Sequence, residues 1–439
     1  MPNVLCIAYL FPPRAGVGVQ RITKFVRYLP EFGWSPIVLT PTKPEGSFPV
    51  DEGYQKEIPE SVKIYTAPSY EPYHIYRALG GSRRQDSADF RSLIEGGKRL
   101  GMAGRLYSAF QAAFLIPDPK IGWFHPAIKK ADEILKTNKV DMIFSTSPEA
   151  TDHVIARVIA HKTGIPWVID FRDPWTTSLY AINRPMWAKR KEEALELRCL
   201  TEADAISVVQ ARYRDEYFEK YPSLINHTEK FRILPNGFDR NDFAGISPMK
   251  FDKWTVVYTG SISAPRDPEP FFKGWKRACE KSEDFRKNAG CFFMGEFDSR
   301  FHELAPKYIM DGLRVMGFKK RDEVYSAQLG AGALLIIAEG YVTGKAYEYL
   351  AAGRPIIAIT DGIDLIELIG GAGGAGGTGG AGECVGSNDP EKIAQCLLAL
   401  YMNRDKPFQP NEEYISRFDR RKITGELAKL FDDLIIRDS

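Results

Sequence analysis

A chain of 439 residues, 44% of them hydrophobic, is more than one core can hold, since single cores stop growing at roughly 250–300 residues, and two domains are expected. Its 59 basic and 57 acidic residues leave a net charge of +2, too little to gather nucleic acid, and no run of ~18 apolar residues is present to cross a membrane. Six scattered cysteines without a C-x-x-C pair argue against a zinc cage or a disulfide framework and for a reducing, cytoplasmic setting.

In chain order, short β-branched runs alternate with amphipathic stretches, the pattern of parallel sheets covered by helices, so the expected class is α/β. Strands are expected at 4–10, 36–40, 62–66, 141–145, 167–171 and 205–209. The first of these has no basic residues before it and reads as a strand rather than a signal peptide. The pattern pauses over 221–250, rich in Pro, Asn, Gly and Asp, and restarts with the apolar run 255–258. A second series follows, with strands at 291–294, 314–316, 333–337, 355–359 and 383–385 and helices at 268–281, 343–352 and 390–401. Two Rossmann-like domains are therefore expected, 1–240 and 241–413, with the apolar-periodic stretch 414–439 packing back on the first. Residues 370–382 read GGAGGAGGTGGAG, too poor in side chains to bury anything, and are expected to form a loop. The G-x-G-x-x-G pattern within them opens no periodic helix, which disfavours NAD binding.

Three segments carry candidate chemistry. Gly16 and Gly18 stand where the first strand turns into a helix, a place where backbone N–H groups can approach a phosphate, or where a glycine turn merely closes the unit. Arg21 just beyond is a phosphate partner or a solvated helix charge. His153, in DMIFSTSPEATDHVIAR, and Arg172 and Asp173, in PWVIDFRDPW, fall at strand ends, the edge at which open α/β sheets hold ligands. A structural histidine and an Arg172–Asp173 pair are the plainer readings. The strongest signal is the Thr343-Gly344-Lys345 turn after the 333–337 strand. It brings amides, a helix dipole and an ammonium to one place fit for a diphosphate, with Glu348 one turn further on for ribose hydroxyls. Ala346 after Lys345 breaks the Walker A pattern, and no D-x-D occurs to hold a metal against a diphosphate.

Together these segments resemble glycosyltransferase family 4. The resemblance includes the glycine loop, the polar stretch ending at His153 and DFRDPW at 170–175. It continues through LPNGFD at 234–239, YTGS at 258–261, MGF at 316–318 and G-K-x-x-E-Y-L-A-A-G-R-P at 344–355. It implies a GT-B architecture of two Rossmann-like domains facing a central cleft, the C-terminal helix crossing back to the first. It also implies a retaining glycosyltransferase taking sugar from a nucleotide-diphosphate-sugar of UDP or GDP type; the absence of D-x-D leads us to expect no metal, and no cofactor is expected. By the resemblance Arg266 and Lys345 meet the diphosphate, Glu348 the ribose, Gly317 and Phe318 the base, and Glu339, Thr343, Gly344, Gly16 and Gly18 complete the donor site. His153 approaches the sugar, and Arg172 and Asp173 lie on the acceptor side. Glu339 and Glu348 are separated by eight residues rather than the family's usual seven.

The acceptor implied is a sugar or a lipid-linked sugar, in cell-surface polysaccharide or glycoconjugate synthesis. The stretch 98–130 mixes Arg105, Lys120, Lys129 and Lys130 with Leu106, Phe110, Phe114, Leu115, Ile116, Trp123 and Phe124, which suits peripheral contact with the inner membrane face as well as ordinary core packing. A sugar-nucleotide epimerase of the same architecture and a non-catalytic nucleotide-sugar-binding protein are the alternatives.

Overall fold

The computed structural model describes every residue except 15, 43–49, 51, 71–101, 178–181, 265, 309–311, 339, 341, 372–381, 387–388 and 438–439. Glu339 and most of the Gly-Ala repeat thus lie outside the described residues. The chain divides into two compact units, Met1–Asn236 with Arg420–Ser439, and Gly237–Asp419.

The first unit is built on a seven-stranded parallel sheet in the order β3-β2-β1-β4-β5-β6-β7. Its strands are β1 Asn3–Ile7, β2 Ser35–Pro41, β3 Lys63–Ala67, β4 Met142–Thr146, β5 Trp167–Phe171, β6 Ala205–Val208 and β7 Phe231–Ile233. Six of the seven fall where the sequence places them. β7 lies in the supposed pause, because three residues are too few to show a period. Along β1, Leu5 and Ile7 face one core while Val4 and Cys6 face another, so the centre of the sheet is covered on both sides and its central strands read as unbroken apolar runs. Helix Arg420–Arg437 closes the second of these cores with Ile423, Leu427, Phe431 and Leu434, spaced as one helix face. Phe431 meets Trp34 edge-on at 5.0 Å, and the Trp34 indole N–H donates to Asp432 at 3.0 Å. The preceding Tyr414 and Ile415 stay with the second unit, where they pack against its core.

The second unit holds a six-stranded parallel sheet in the order β10-β9-β8-β11-β12-β13. Its strands are β8 Trp254–Thr259, β9 Ala289–Met294, β10 Leu313–Gly317, β11 Ala333–Ile337, β12 Ile356–Ile359 and β13 Gly382–Val385. Val256 and Tyr258 face one core, Val257 the other. In each sheet the first strand has its next two neighbours on one side and its fourth on the other. The order therefore reverses between β1 and β4, and again between β8 and β11. At such a reversal the connections diverge and leave room outside the carboxyl ends of the strands, where open α/β sheets bind ligands.

Candidate functional site

In the second unit the reversal falls between the turn after β8 and helix Gly344–Ala352, which follows β11. Gly260 follows β8 at φ 104° and donates its N–H to the Met294 carbonyl at 2.8 Å. A Cβ on Gly260 would lie 3.0 Å from Lys345 Nζ, so the lysine occupies the space that the missing side chain leaves. The same Nζ stands 3.8 Å from the centre of the Tyr258 ring. It is buried and has no hydrogen-bond partner. Burial, and then the neighbouring Arg266 charge, push its pKa well below the ordinary lysine value, with Glu348 opposing. A cation over a ring face recovers part of what desolvation costs, but an ammonium in this position lacks the acceptors that water would give it.

The surroundings fix that ammonium. Tyr258 is stacked on Phe293 and donates its hydroxyl to Ser261 O at 2.8 Å. Arg266 Nη1 donates to the same carbonyl at 3.0 Å, which sets the guanidinium beside the β8 turn. The Tyr349 hydroxyl accepts the Thr259 N–H at 2.9 Å, and Gln328 donates to Thr259 Oγ1 at 3.1 Å, so a buried polar network joins the end of β8 to the helix that carries Lys345. Thr343 caps that helix with its backbone alone, and its hydroxyl is buried without a partner. Glu348 is half-buried one turn further along. Gly317 ends β10 at φ 66° and accepts the Gly295 N–H at 2.9 Å, while Phe318 beside it is exposed. Arg266, Thr343, Gly344, Lys345 and Glu348 thus come together around the reversal, and Gly317 and Phe318 lie two strands away. Tyr258, Gln328 and Tyr349, which hold this arrangement, are not singled out by sequence reasoning. Only the two tyrosines stand in quoted motifs.

In the first unit Gly16, at φ 117°, precedes helix Val17–Tyr28. A Cβ on Gly18 would lie 3.7 Å from Arg172 Nη1. Arg172 Nε and Nη1 are buried without a hydrogen-bond partner, and no ion pair joins Arg172 to the exposed Asp173 among the described residues, so the expected pairing of these neighbours is not what holds the guanidinium. Its backbone N–H donates to Ser147 Oγ at 2.9 Å. Arg21 is neither a phosphate partner nor a solvated charge: it is buried and grips Asp170 with two bonds, at 2.8 and 3.0 Å, and donates to the carbonyls of Leu234 and Pro235. Burial tends to raise the Asp170 pKa, but Arg21 and the hydroxyls of Ser207 and Thr146 outweigh it and hold the carboxylate ionised.

His153 is fully buried, its Nδ1 2.9 Å from Ser145 Oγ, which also accepts the Trp167 indole N–H at 2.9 Å. A hydroxyl oxygen can accept twice, so either Ser145 or Nδ1 can supply the hydrogen they share. The other ring nitrogen, Nε2, is buried without a hydrogen-bond partner among the described residues. Burial, opposed by Asp170, lowers the pKa to about 3, so the ring is neutral at physiological pH. Next to it Asp152 accepts the Tyr9 N–H at 2.8 Å. Burial, offset by that bond and reinforced by Glu149 and Asp118, raises its pKa well above the ordinary range. Asp152 carries no signal in the sequence that separates it from a surface carboxylate.

With these features in place, three solved structures match essentially the whole chain. A sucrose-phosphate synthase from Thermosynechococcus elongatus matches 100% of both chains with TM-score 0.61 at 11% identity. HepE from Anabaena, solved in complex with UDP, matches 99% of this chain and 100% of its own with TM-score 0.59 at 11% identity. A glycosyltransferase from Rickettsia africae matches 100% of this chain and 99% of its own, with TM-score 0.59 at 14% identity. No curated protein matches the sequence. The fold is the GT-B fold of glycosyltransferases, as the sequence resemblance implies. Within it, residues 95–242 match the Glycosyltransferase Family 4 sequence pattern.

Proposed function

We propose that this protein is a retaining glycosyltransferase that moves a sugar from a nucleotide-diphosphate-sugar, of UDP or GDP type, to an acceptor hydroxyl. The observation that carries this reading is the buried Nζ of Lys345, which has no hydrogen-bond partner among the described residues, at the strand-order reversal of the second unit. A cation so placed is completed by an anion, and a diphosphate supplies one. The UDP complex of HepE, on the same fold, supports the nucleotide class.

In this reading the leaving diphosphate departs, the acceptor hydroxyl attacks the same face of the sugar, and a phosphate oxygen takes the proton. Lys345 and Arg266 neutralise the growing charge, with amides near Gly344 and at Gly16–Gly18. With no D-x-D in the chain, that work is assigned to these cations rather than to a metal, and no cofactor is invoked. Glu348 accepts ribose hydroxyls, the turn at Gly317 and Phe318 receives the base, and His153 hydrogen-bonds a sugar hydroxyl. Arg172 and Asp173 serve the acceptor, a sugar or lipid-linked sugar for surface polysaccharide or glycoconjugate. Six free cysteines accord with a cytoplasmic setting.

Thermal shifts with UDP, GDP, ADP, CMP, dTDP and NAD identify the ligand, since one present at ~100 times its Kd adds about 2.7 kcal/mol. With the donor known, Lys345→Ala should lower kcat and affinity together, because charge develops on the diphosphate as the bond breaks. Glu348→Ala should mainly raise donor KM. Stabilisation by NAD alone, or kinetics unchanged in both variants, sinks the reading. Donor consumption without acceptor would point to an epimerase.

A further inference from the structure

Of the stretch 98–130, Leu115 and Trp123 are buried, and Lys120 lies over the Tyr9 ring, so this part packs within the unit. Helix Met102–Phe114 does not follow suit. Leu106, Phe110 and Phe114 are 66%, 46% and 64% exposed, and beside them Met186 and Trp187, at the start of helix Met186–Glu202, are 65% and 46% exposed. The rings form a continuous ridge, with Phe110 to Phe114 at 5.4 Å and Phe114 to Trp187 at 6.0 Å. Scattered exposed side chains need no explanation, but three large rings in contact across two helices, with Leu106 and Met186 exposed on the same two helices, do.

The ridge is held in place from beneath. Arg184 is buried and donates to the carbonyls of Ala112, Leu115 and Pro117 at 2.9, 3.0 and 2.6 Å, which caps the end of the first helix. Its Nε pairs with Glu192 of the second helix at 2.6 Å, and Glu192 also accepts the Trp175 indole N–H. One arginine therefore fixes both helices that present the apolar residues. The charges on the two helix segments that present the ridge have a single sign. Arg105, Lys189, Arg190 and Lys191 are exposed, the Lys191 ammonium stands 5.2 Å from the Trp187 ring centre, and no carboxylate occurs in 102–114 or 186–191.

We propose that this ridge docks the protein on an anionic lipid surface. Aromatic residues beside basic ones match the boundary between acyl chains and negative headgroups, the rings entering and the cations staying at the phosphates. A second copy is a poor occupant: a two-fold interface would set the four cations against their own images. Among the described residues no helix is long and apolar enough to cross a membrane, so such contact is peripheral.

Flotation of the full chain with vesicles of phosphatidylcholine alone, and of phosphatidylcholine and phosphatidylglycerol in equal parts, tests this without donor or acceptor, and so independently of transfer. Binding is expected on the anionic vesicles only and should weaken with added salt. Lys189→Glu with Lys191→Glu, and separately Phe114→Ser with Trp187→Ser, should each reduce it by at least about tenfold while the melting temperature stays near that of the parent. No binding to anionic vesicles, equal binding to neutral ones, or unchanged binding by both variants overturns the proposal. So does a stable dimer that only Phe114→Ser with Trp187→Ser dissociates.

Discussion

Lys345 and Gly260 share one volume: the lysine Nζ lies 3.0 Å from the point where a glycine side chain would begin. Because Gly260 also has φ 104°, Gly260→Ala strains the turn and displaces the ammonium at once. The expected stability cost is about 1–2 kcal/mol, the cost of forcing an L-residue into positive φ. The expected fall in kcat/KM for the donor is about tenfold or more, as a mispositioned charge stabilises the leaving group less. Chemical denaturation and steady-state kinetics on the same preparation separate the two effects. A variant that loses stability but keeps its kinetics would show that the ammonium is not positioned by this turn.

Tyr258 supports Lys345 through its ring and Ser261 through its hydroxyl, and the two roles are separable. Tyr258→Phe keeps the ring and should leave donor KM within a few-fold of the parent. Tyr258→Leu removes the ring face, leaves the ammonium less compensated, and is expected to cost about 1 kcal/mol more in donor affinity than the phenylalanine variant. Calorimetric titration with the nucleotide diphosphate measures the difference directly.

Arg21 and Asp170 form a buried pair whose partners lie in the core of the first unit. Arg21→Met leaves Asp170 as an uncompensated buried charge and should destabilise the fold by about 3–5 kcal/mol. Changing Asp170 to Asn at the same time should recover part of that loss, since the charge is then removed rather than stranded. A double-mutant cycle in urea reports the coupling. Little effect from the single substitution would contradict the burial of this pair.

Asp152 gives a pH dependence with a definite sign. Its folded pKa is raised above the unfolded value, so its contribution is fully present below the unfolded pKa of about 3.9 and is lost as pH rises toward the folded pKa. Asp152→Asn keeps an acceptor for the Tyr9 N–H and has nothing to ionise. It should therefore raise the melting temperature at pH 7, with the gain shrinking as pH falls toward 4. A gain that grows on acidification would mean that the carboxyl is ionised in the folded state.

The repeating elements of the fold were legible because the central strands are buried on both faces and show as apolar runs bounded by turn residues. The 167–171 and 333–337 runs coincide with β5 and β11 residue for residue. The Thr343-Gly344-Lys345 turn was legible for the same local reason, a strand leading at once into a helix. What sequence did not disclose depends on distance along the chain. Arg21 finds Asp170 149 residues away, and Thr259 finds Tyr349 90 residues away. No local pattern distinguishes such residues from a helix-surface arginine or a core tyrosine. The exposed ridge was obscured in another way: the same stretch that supplies Phe110 and Phe114 also supplies the buried Trp123, while Trp187 comes from a different helix.

If the helix start binds a diphosphate as proposed, the depressed pKa of Lys345 makes that binding a proton-coupled event. An arriving diphosphate opposes both the desolvation and the Arg266 repulsion that favour the neutral amine, so the bound state holds its proton more tightly than the free state. Wherever the free amine is partly deprotonated, binding draws a proton from solvent, and affinity must decline as pH rises through that range. The heat of binding then varies with the ionisation enthalpy of the buffer. Titrations in phosphate-free buffers of different ionisation enthalpy would count that proton, and Lys345→Met should abolish it while leaving the rest of the fold in place.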